Sequence, residues 1–186
     1  MSPITPTVLE TDRLLLRPFT PEDAPVVQRY ASDREVARTT LSIPHPYPDG
    51  AAAAWIAGHA RGLETGLNPI FAITLREGAQ LIGAIDLRLN PDHRWAEVGY
   101  VIYRPWWGAG YATEALRSVV RHGFETLGLH RIHAHHFGSN PASGRVLEKA
   151  GMRREGVWRQ HICKWGEMLD VVQYGLLRAE WASGQL

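Results

Sequence analysis

The sequence predicts an α/β fold in which a mixed sheet of about seven strands is flanked by helices on both faces. Short turns join apolar, strand-like runs at 70–76, 80–89 and 95–103, and strands joined by short turns pair in antiparallel fashion. The run at 95–103 is followed by a helix at 111–126 and a strand at 131–137. That order is typical of a right-handed crossover between parallel strands, so the sheet should contain both kinds of pairing.

The N-terminal segment predicts an edge strand and a helix. Leu14 and Leu16 alternate with Leu15 and Arg17 over 13–18, which indicates an edge strand. Thr20 is a good helix cap and Pro21 suits the first helical position, so a helix should cover 21–31. The other predicted elements are a Pro-rich loop at 39–49, helices at 50–63 and 141–150, and strands at 152–162 and 168–178.

Residues 95–113 pass from an apolar strand through Gly108-Ala109-Gly110 into an amphipathic helix. The first backbone N–H groups of such a helix have no intrahelical partner, and the helix dipole adds partial positive charge there. Glycines let the backbone approach a ligand closely and adopt positive φ. The segment therefore predicts a phosphate-binding turn.

This segment resembles the pyrophosphate-binding motif of the GNAT superfamily of acyl-CoA-dependent N-acyltransferases. The family motif is Arg/Gln-x-x-Gly-x-Gly/Ala, and Trp107-Gly-Ala-Gly-Tyr-Ala112 occupies it with Trp107 at the position of the Arg or Gln. The continuation to Ala115 is similar to the branch that acetylates the N-termini of ribosomal proteins. Segments 9–24 and 140–151 resemble the same branch, so the resemblance covers essentially the whole chain.

The resemblance implies one acetyltransferase domain over 1–186, with central parallel strands that splay apart to admit acetyl-CoA. Backbone N–H groups of the strand 95–103 would lie near the thioester carbonyl. The residues that it implies as contacts of the coenzyme are Val101, Ile102, Trp107, Gly108, Ala109, Gly110, Tyr111, Ala112, Thr113, Asn140 and Ser143.

Acyl transfer to an amine requires a group that protonates the leaving thiolate. Most members of the family use a Tyr after the parallel strand, but this chain has no Tyr between Tyr111 and Tyr174. Asn140 and Ser143 occupy that place, and Ser143 is the candidate acid. The alternative is that both residues only cap the helix at 141–150.

Glu97 is the candidate base, because an acid in an otherwise apolar strand is costly unless it is paired or functional. The alternative is a solvated strand end beside Arg94. An α-amine has a pKa of about 7.7–8.0, so about one tenth is neutral at pH 7, whereas a lysine amine is almost fully protonated. An α-amine is therefore the easier acceptor for a site with one uncertain base.

Composition limits the other classes of function. The chain of 186 residues has 45% apolar residues and a formal net charge of +1, which does not suggest a nucleic-acid partner. His133 and His135 share a strand face, but they have no further ligand at metal-binding spacing, so no metal is expected. The start of the chain has no signal peptide, no apolar run is long enough to span a membrane, and Cys163 is single. These features predict a cytoplasmic protein, with a homodimer as the oligomer to consider.

The predicted function is an acetyl-CoA-dependent N-acetyltransferase that acts by direct transfer in a ternary complex. The favoured acceptor is an N-terminal α-amine of a ribosomal or other protein. Two alternatives stay open: an enzyme that acetylates a small-molecule amine such as an antibiotic or metabolite, and a non-catalytic acyl-CoA-binding module.

Overall fold

The computed structural model describes residues 7–59 and 66–184. The strands are β1 Leu9–Glu10, β2 Leu14–Arg17, β3 Ile70–Leu75, β4 Leu81–Asn90, β5 Trp95–Ile102, β6 Arg131–Phe137, β7 Arg153–Lys164 and β8 Glu167–Leu177. The helices are α1 Ala24–Ala31, α2 Arg34–Ala37, α3 Ala51–Ala57, α4 Tyr111–Glu125, α5 Pro141–Lys149 and α6 Arg178–Ala182, with 3-10 turns at Pro21–Asp23 and Arg104–Trp106.

All eight strands form one sheet in the order β1-β2-β3-β4-β5-β6-β8-β7. Among the described strands, only the central pair β5 and β6 is parallel. Its register is Trp95↔Arg131, Ala96↔Ile132 and Glu97↔His133, after which the pairing stops although both strands continue. The two strands thus leave a gap between residues 98–102 and 134–137, called the β5–β6 gap below.

Helices cover the two faces of the sheet in different places. On one face, α4 buries Leu116, Val119 and Phe124 against Val98 of β5, and α5 adds Leu147 to the same core. Burying an aliphatic or aromatic side chain of this size contributes about 1.5–3 kcal/mol, so this stripe holds α4 on the sheet. This face of β4, β5 and β6 is called the helix face.

On the opposite face, α1 and α3 pack near the other edge of the sheet. Val27, Ala52 and Ile56 form a second buried cluster with Ala72 of β3 and Leu81 at the start of β4. Further along the sheet, this face of β4, β5 and β6 carries charged and polar side chains, and we call it the polar face. Its members used below are Asp86, Arg88, Glu97, His133 and His135.

The predicted mixed α/β fold is confirmed, with one strand more than expected. The additional strand β1 has two residues, which is too short to produce an alternating pattern in the sequence. The helix predicted at 50–63 ends at Ala57 in its described part, where Gly58 is the C-cap, and residues 60–63 of that prediction lie outside the described residues. The short helices α2 and α6 were not predicted, because four or five residues carry little helical periodicity.

Candidate active site

The turn that follows β5 has the backbone conformation that its glycines allow. Gly108 and Gly110 have φ of +77° and +83°, in the left-handed region that other residues avoid. Trp107 stabilises the entry to the turn, because its indole Nε1 donates a hydrogen bond of 2.5 Å to the carbonyl of Ile102. The Trp at the position of the usual Arg or Gln therefore connects the turn to the end of β5.

The N-terminus of α4 has the features that a pyrophosphate requires. Tyr111, Ala112 and Thr113 form its first turn, where N–H groups have no intrahelical carbonyl to pair with. A Cβ atom placed on Gly108 would meet nothing within 4 Å, so the turn has space in front of it. Free N–H groups, positive φ and open space together fit the diphosphate of a coenzyme at a helix N-terminus.

Arg13 connects this turn to β2. Its Nη1 donates to the carbonyl of Ala109 at 3.0 Å, and its guanidinium forms an ion pair with Glu114 of α4 at 2.6 Å. The backbone N–H of Arg13 also donates to Glu114. The N-terminal strand therefore fixes the start of α4, which the sequence did not indicate.

The backbone of β5 presents alternate residues to the β5–β6 gap. Tyr103 donates its N–H to the carbonyl of Ile82 at 2.8 Å, so Tyr103 and every second residue before it pair with β4. The N–H and C=O groups of Val101 consequently belong to the β4 ladder. Those of Tyr100 and Ile102 face the gap, where β6 no longer pairs with them.

On the helix face of the gap, the hydroxyl of Ser143 lies 2.7 Å from the hydroxyl of Tyr100. The Tyr100 hydroxyl also donates to the Ser143 carbonyl at 3.2 Å, and burial raises the pKa of Tyr100 well above its usual value. Asn140 is the N-cap of α5, and its side chain accepts a hydrogen bond from the N–H of Ser143. Asn140 therefore caps the helix as predicted, whereas the Ser143 hydroxyl contacts Tyr100 and is not a cap.

On the polar face, Glu97 is part of a charged cluster. Its Oε1 lies 2.9 Å from Nδ1 of His135 and 3.2 Å from Nη2 of Arg88, and Arg88 also contacts Asp86 at 2.5 Å. The hydrogen bond from His135 and the nearby Arg88 charge lower the pKa of Glu97 to about 2. Burial raises the pKa of Asp86 to about 6. Glu97 is therefore a firmly ionised carboxylate with two cationic or hydrogen-bonding partners.

The structure thus brings Glu97 and Ser143 to one gap from opposite faces. Tyr100 and His135 were not predicted from the sequence, because the proton donor was expected after Tyr111 and His135 has a pattern considered only for a metal ligand. Tyr100 lies on β5, and its contact with α5 depends on how the helix packs. His135 reaches Glu97 because β5 and β6 are neighbours in parallel register, and no local pattern reports that register.

An open sheet with one diverging parallel pair, beside a glycine turn at a helix N-terminus, defines an acyl-CoA-dependent acyltransferase. The chain belongs to the Acetyltransferase (GNAT) domain family, whose match covers residues 13–153. The uncharacterised N-acetyltransferase YoaA of Bacillus subtilis is 37% identical over 92% of this chain and 97% of that protein.

Two further relatives extend this comparison. A GNAT-family acetyltransferase of Bacillus anthracis, known from its crystal structure, is 28% identical with a TM-score of 0.83, covering 93% of this chain and 99% of that one. The [ribosomal protein uS5]-alanine N-acetyltransferase of Escherichia coli is 26% identical over 95% of this chain and 94% of that protein. The predicted family, the N-acetyltransferase class and acetyl-CoA as co-substrate are therefore confirmed, and the match to a ribosomal-protein acetyltransferase supports the predicted branch.

No helix in the described ranges combines the length and the apolar character that are needed to cross a membrane.

Proposed function

We propose that this N-acetyltransferase transfers the acetyl group to an N-terminal α-amine of a protein or peptide, in the cytoplasm and by direct attack within a ternary complex. The relative from Escherichia coli is named for an alanine of a ribosomal protein, which supports a protein N-terminus as the acceptor. The observation that carries the proposal is the pair of candidate proton-transfer sites on opposite faces of one gap.

The coenzyme would be held along the helix face. Backbone N–H groups of Gly108, Gly110 and the first turn of α4 would bind its pyrophosphate, and the N–H groups of β5 that face the gap would contact the thioester carbonyl. Bound acetyl-CoA supplies an activated acetyl group. Asn140 and Ser143 lie at the start of α5, on the same face as this path.

Ser143 is the proposed proton donor to the leaving sulfur. Its hydroxyl is hydrogen-bonded to Tyr100, so when the Tyr100 hydroxyl donates to Ser143 Oγ, the Ser143 proton is free to point elsewhere. Transfer of that proton in the transition state makes the sulfur a neutral leaving group. Glu97, on the other face, is the predicted contributor to deprotonation of the amine.

The polar face suits a cationic acceptor. Asp86 and Glu97 are two carboxylates that share one arginine, Arg88, so the cluster has an excess of negative charge when both are ionised. An ammonium group is attracted to such a cluster, and an α-amine loses its proton at a lower pH than a lysine side chain. Deprotonation of an N-terminal α-amine therefore depends less on Glu97, which is a weak base, than deprotonation of a lysine side chain does.

The test measures thiol release from acetyl-CoA with a panel of amines. Short peptides with free N-termini are compared with the same peptides carrying a blocked N-terminus and one lysine, and with aminoglycosides and polyamines. We expect turnover only with the free N-termini. Turnover of the blocked peptides, or of the small amines alone, would reject the α-amine and favour a small-molecule or lysine acceptor.

A further inference from the structure

We propose that the imidazole of His135 accepts the proton of the incoming amine, and that Glu97 is the positioning residue that orients this imidazole. The inference rests on the proposed function, because it requires an amine that reaches the β5–β6 gap from the polar face. It gives Glu97 a different role and adds a residue of β6 to the site.

His135 lies where the gap begins. The last parallel rung is Glu97↔His133, and residues two apart on a strand share a face, so His135 is the next polar-face residue of β6 beyond the pairing. Its Nδ1 is 2.9 Å from Oε1 of Glu97 on the other strand. The contact therefore spans the opening of the gap, and both side chains are only partly buried.

The contact with Glu97 determines which nitrogen of the His135 ring is free. An ionised carboxylate can only accept a hydrogen bond, so Nδ1 must carry the hydrogen of the neutral ring. The lone pair then lies on Nε2. Within residues 7–59 and 66–184, no side chain or backbone group is hydrogen-bonded to Nε2, so this atom can receive a proton.

Glu97 is less suited to be the acceptor. Its pKa is lowered to about 2, mainly by the hydrogen bond from His135 and by Arg88, and such a carboxylate holds a proton weakly. Imidazole as a class of side chain has a reference pKa closer to that of an α-amine than a carboxylate has, which makes histidine the more effective type of base for such an amine. A carboxylate that orients an imidazole and stabilises its charged form is an established arrangement for proton transfer in enzymes.

Charged groups from four strands surround His135. Gln173 is its neutral partner on β8. The titratable groups that face it are Asp86 and Arg88 on β4, Glu97 on β5, Arg131 and His133 on β6, and Glu155 on β7. Arg131 is paired with Glu155, and Arg88 is shared between two carboxylates, so these groups carry a single net negative charge when His133 is neutral, as its lowered pKa favours, and the others are ionised. Protonation of His135 neutralises this charge.

The proton balance of the proposed step is complete. The ammonium of the acceptor gives one proton to Nε2 of His135, and its nitrogen lone pair forms the C–N bond with the acetyl carbonyl carbon. The C–S bond breaks and leaves its electron pair on sulfur, and the sulfur takes a proton from the Ser143 hydroxyl. The nitrogen then loses its second proton, and transfer of a proton through solvent restores the Ser143 hydroxyl. His135 releases its proton to water, so the products are an amide, a thiol and one proton.

The main test compares His135→Gln with His133→Gln, a change on the same strand and face that leaves the Glu97 contact intact. We measure kcat/KM for a peptide α-amine from about pH 6 to pH 9. His135→Gln should lose about 100-fold at pH 7, and the loss should shrink toward pH 9, where the amine is already neutral. His133→Gln should stay within about threefold of the wild type.

Three outcomes are decisive. Equal losses in both variants, or a His135→Gln profile parallel to that of the wild type, would overturn the role of His135. A wild type that binds acetyl-CoA but does not acetylate peptide amines would overturn the proposed acceptor instead. In that case the two variants are measured on the amine that the wild type does acetylate, so the role of His135 is tested with either acceptor.

Two further measurements separate catalysis from folding. His135→Gly should regain activity when imidazole is added, which a merely structural defect would not show. Nitrogen NMR of the wild-type ring should report hydrogen on Nδ1 and none on Nε2 at neutral pH, and Glu97→Gln should shift this tautomer. An Nε2–H tautomer in the wild type, or a failure of rescue in a folded His135→Gly that binds acetyl-CoA, would contradict the proposal.

Discussion

The two faces of the β5–β6 gap are built from different chemistry. The helix face presents neutral hydroxyls, since Tyr100 and Ser143 are hydrogen-bonded to each other and burial raises the pKa of Tyr100. The polar face presents partly solvated charges, with Glu97 between His135 and Arg88. A hydroxyl with a high pKa stays protonated at neutral pH and can donate a hydrogen bond to the negative charge that develops on sulfur, whereas a solvated charged cluster exchanges protons with water. We infer that protons leave the amine on the polar face and reach sulfur from the helix face.

The largest expected effect concerns the coenzyme alone. Gly110 has φ of +83°, so a side chain there would be strained, and its Cβ atom would lie 3.5 Å from Nη2 of Arg13, which holds the turn. Gly110→Val should weaken acetyl-CoA binding about 100- to 10,000-fold, as two charged hydrogen bonds of about 1.5–3 kcal/mol each are lost. Calorimetric titration with acetyl-CoA measures the change.

Gly78→Val is the matched control for that variant. Gly78 has φ of +76° in the turn between β3 and β4, and a Cβ atom at this position would meet nothing within 4 Å, so the substitution adds similar backbone strain away from the site. It should leave acetyl-CoA affinity unchanged. If a folded Gly110→Val protein bound acetyl-CoA as tightly as the wild type does, the glycine turn would not be part of the coenzyme site.

The next effect belongs to the helix face. Ser143→Ala should lower kcat about 10- to 1000-fold and leave acetyl-CoA affinity nearly intact, because a general acid acts in the transition state. Steady-state kinetics and calorimetry separate the two quantities. Wild-type turnover in this variant would make Ser143 a structural residue of α5.

A smaller and pH-dependent effect is expected on the polar face. Glu97→Gln should reduce the rate about tenfold at pH 7, since the amide neither fixes the tautomer of His135 nor stabilises its positive charge. The rate should recover toward pH 9, where the α-amine is neutral without help. A loss larger than that of His135→Gln would instead identify Glu97 as the proton acceptor.

The same carboxylate should influence acid stability. Because the pKa of Glu97 falls from 4.5 to about 2 on folding, its contribution to stability is complete above pH 4.5 and is lost as the pH falls toward 2. Glu97→Gln should therefore be less stable than the wild type by on the order of 2–3 kcal/mol at pH 6, and the difference should narrow at pH 3. Chemical denaturation at both pH values is the measurement.

The smallest effect is expected at Tyr100. Tyr100→Phe removes the hydroxyl that contacts Ser143, so kcat should fall about three- to tenfold and stability by about 0.5–1.5 kcal/mol. Tyr174→Phe is the control, because that hydroxyl donates to Glu148 of α5 and not to Ser143. Identical turnover in the two variants would show that Tyr100 does not orient Ser143.

Local sequence patterns were sufficient for most of the fold. The predicted strands agree with β2 to β8 within about two residues, since each had an apolar run and a turn at its ends. The sequence also predicted the glycine turn, the cap at Asn140 and the buried stripe of α4, because capping and amphipathicity depend on neighbours in the chain. The strand β1 could not be predicted, since a two-residue strand carries no pattern. The contact of Arg13 with Glu114 could not be predicted either, because it joins residues about a hundred positions apart.

By itself, the sequence determined the family, the glycine turn and two of the residues that border the gap, Glu97 and Ser143. Only the tertiary structure decided their partners. The parallel register of β5 and β6 pairs Glu97 with His133 and thereby brings His135, two residues further along β6, within reach of Glu97. The packing of α5 on the sheet brings Ser143 to Tyr100. Register and helix packing are set by the whole core, because a shift by one residue would turn every side chain of a strand to the other face. The chemical character of each face was therefore fixed by packing between segments that no single motif contains.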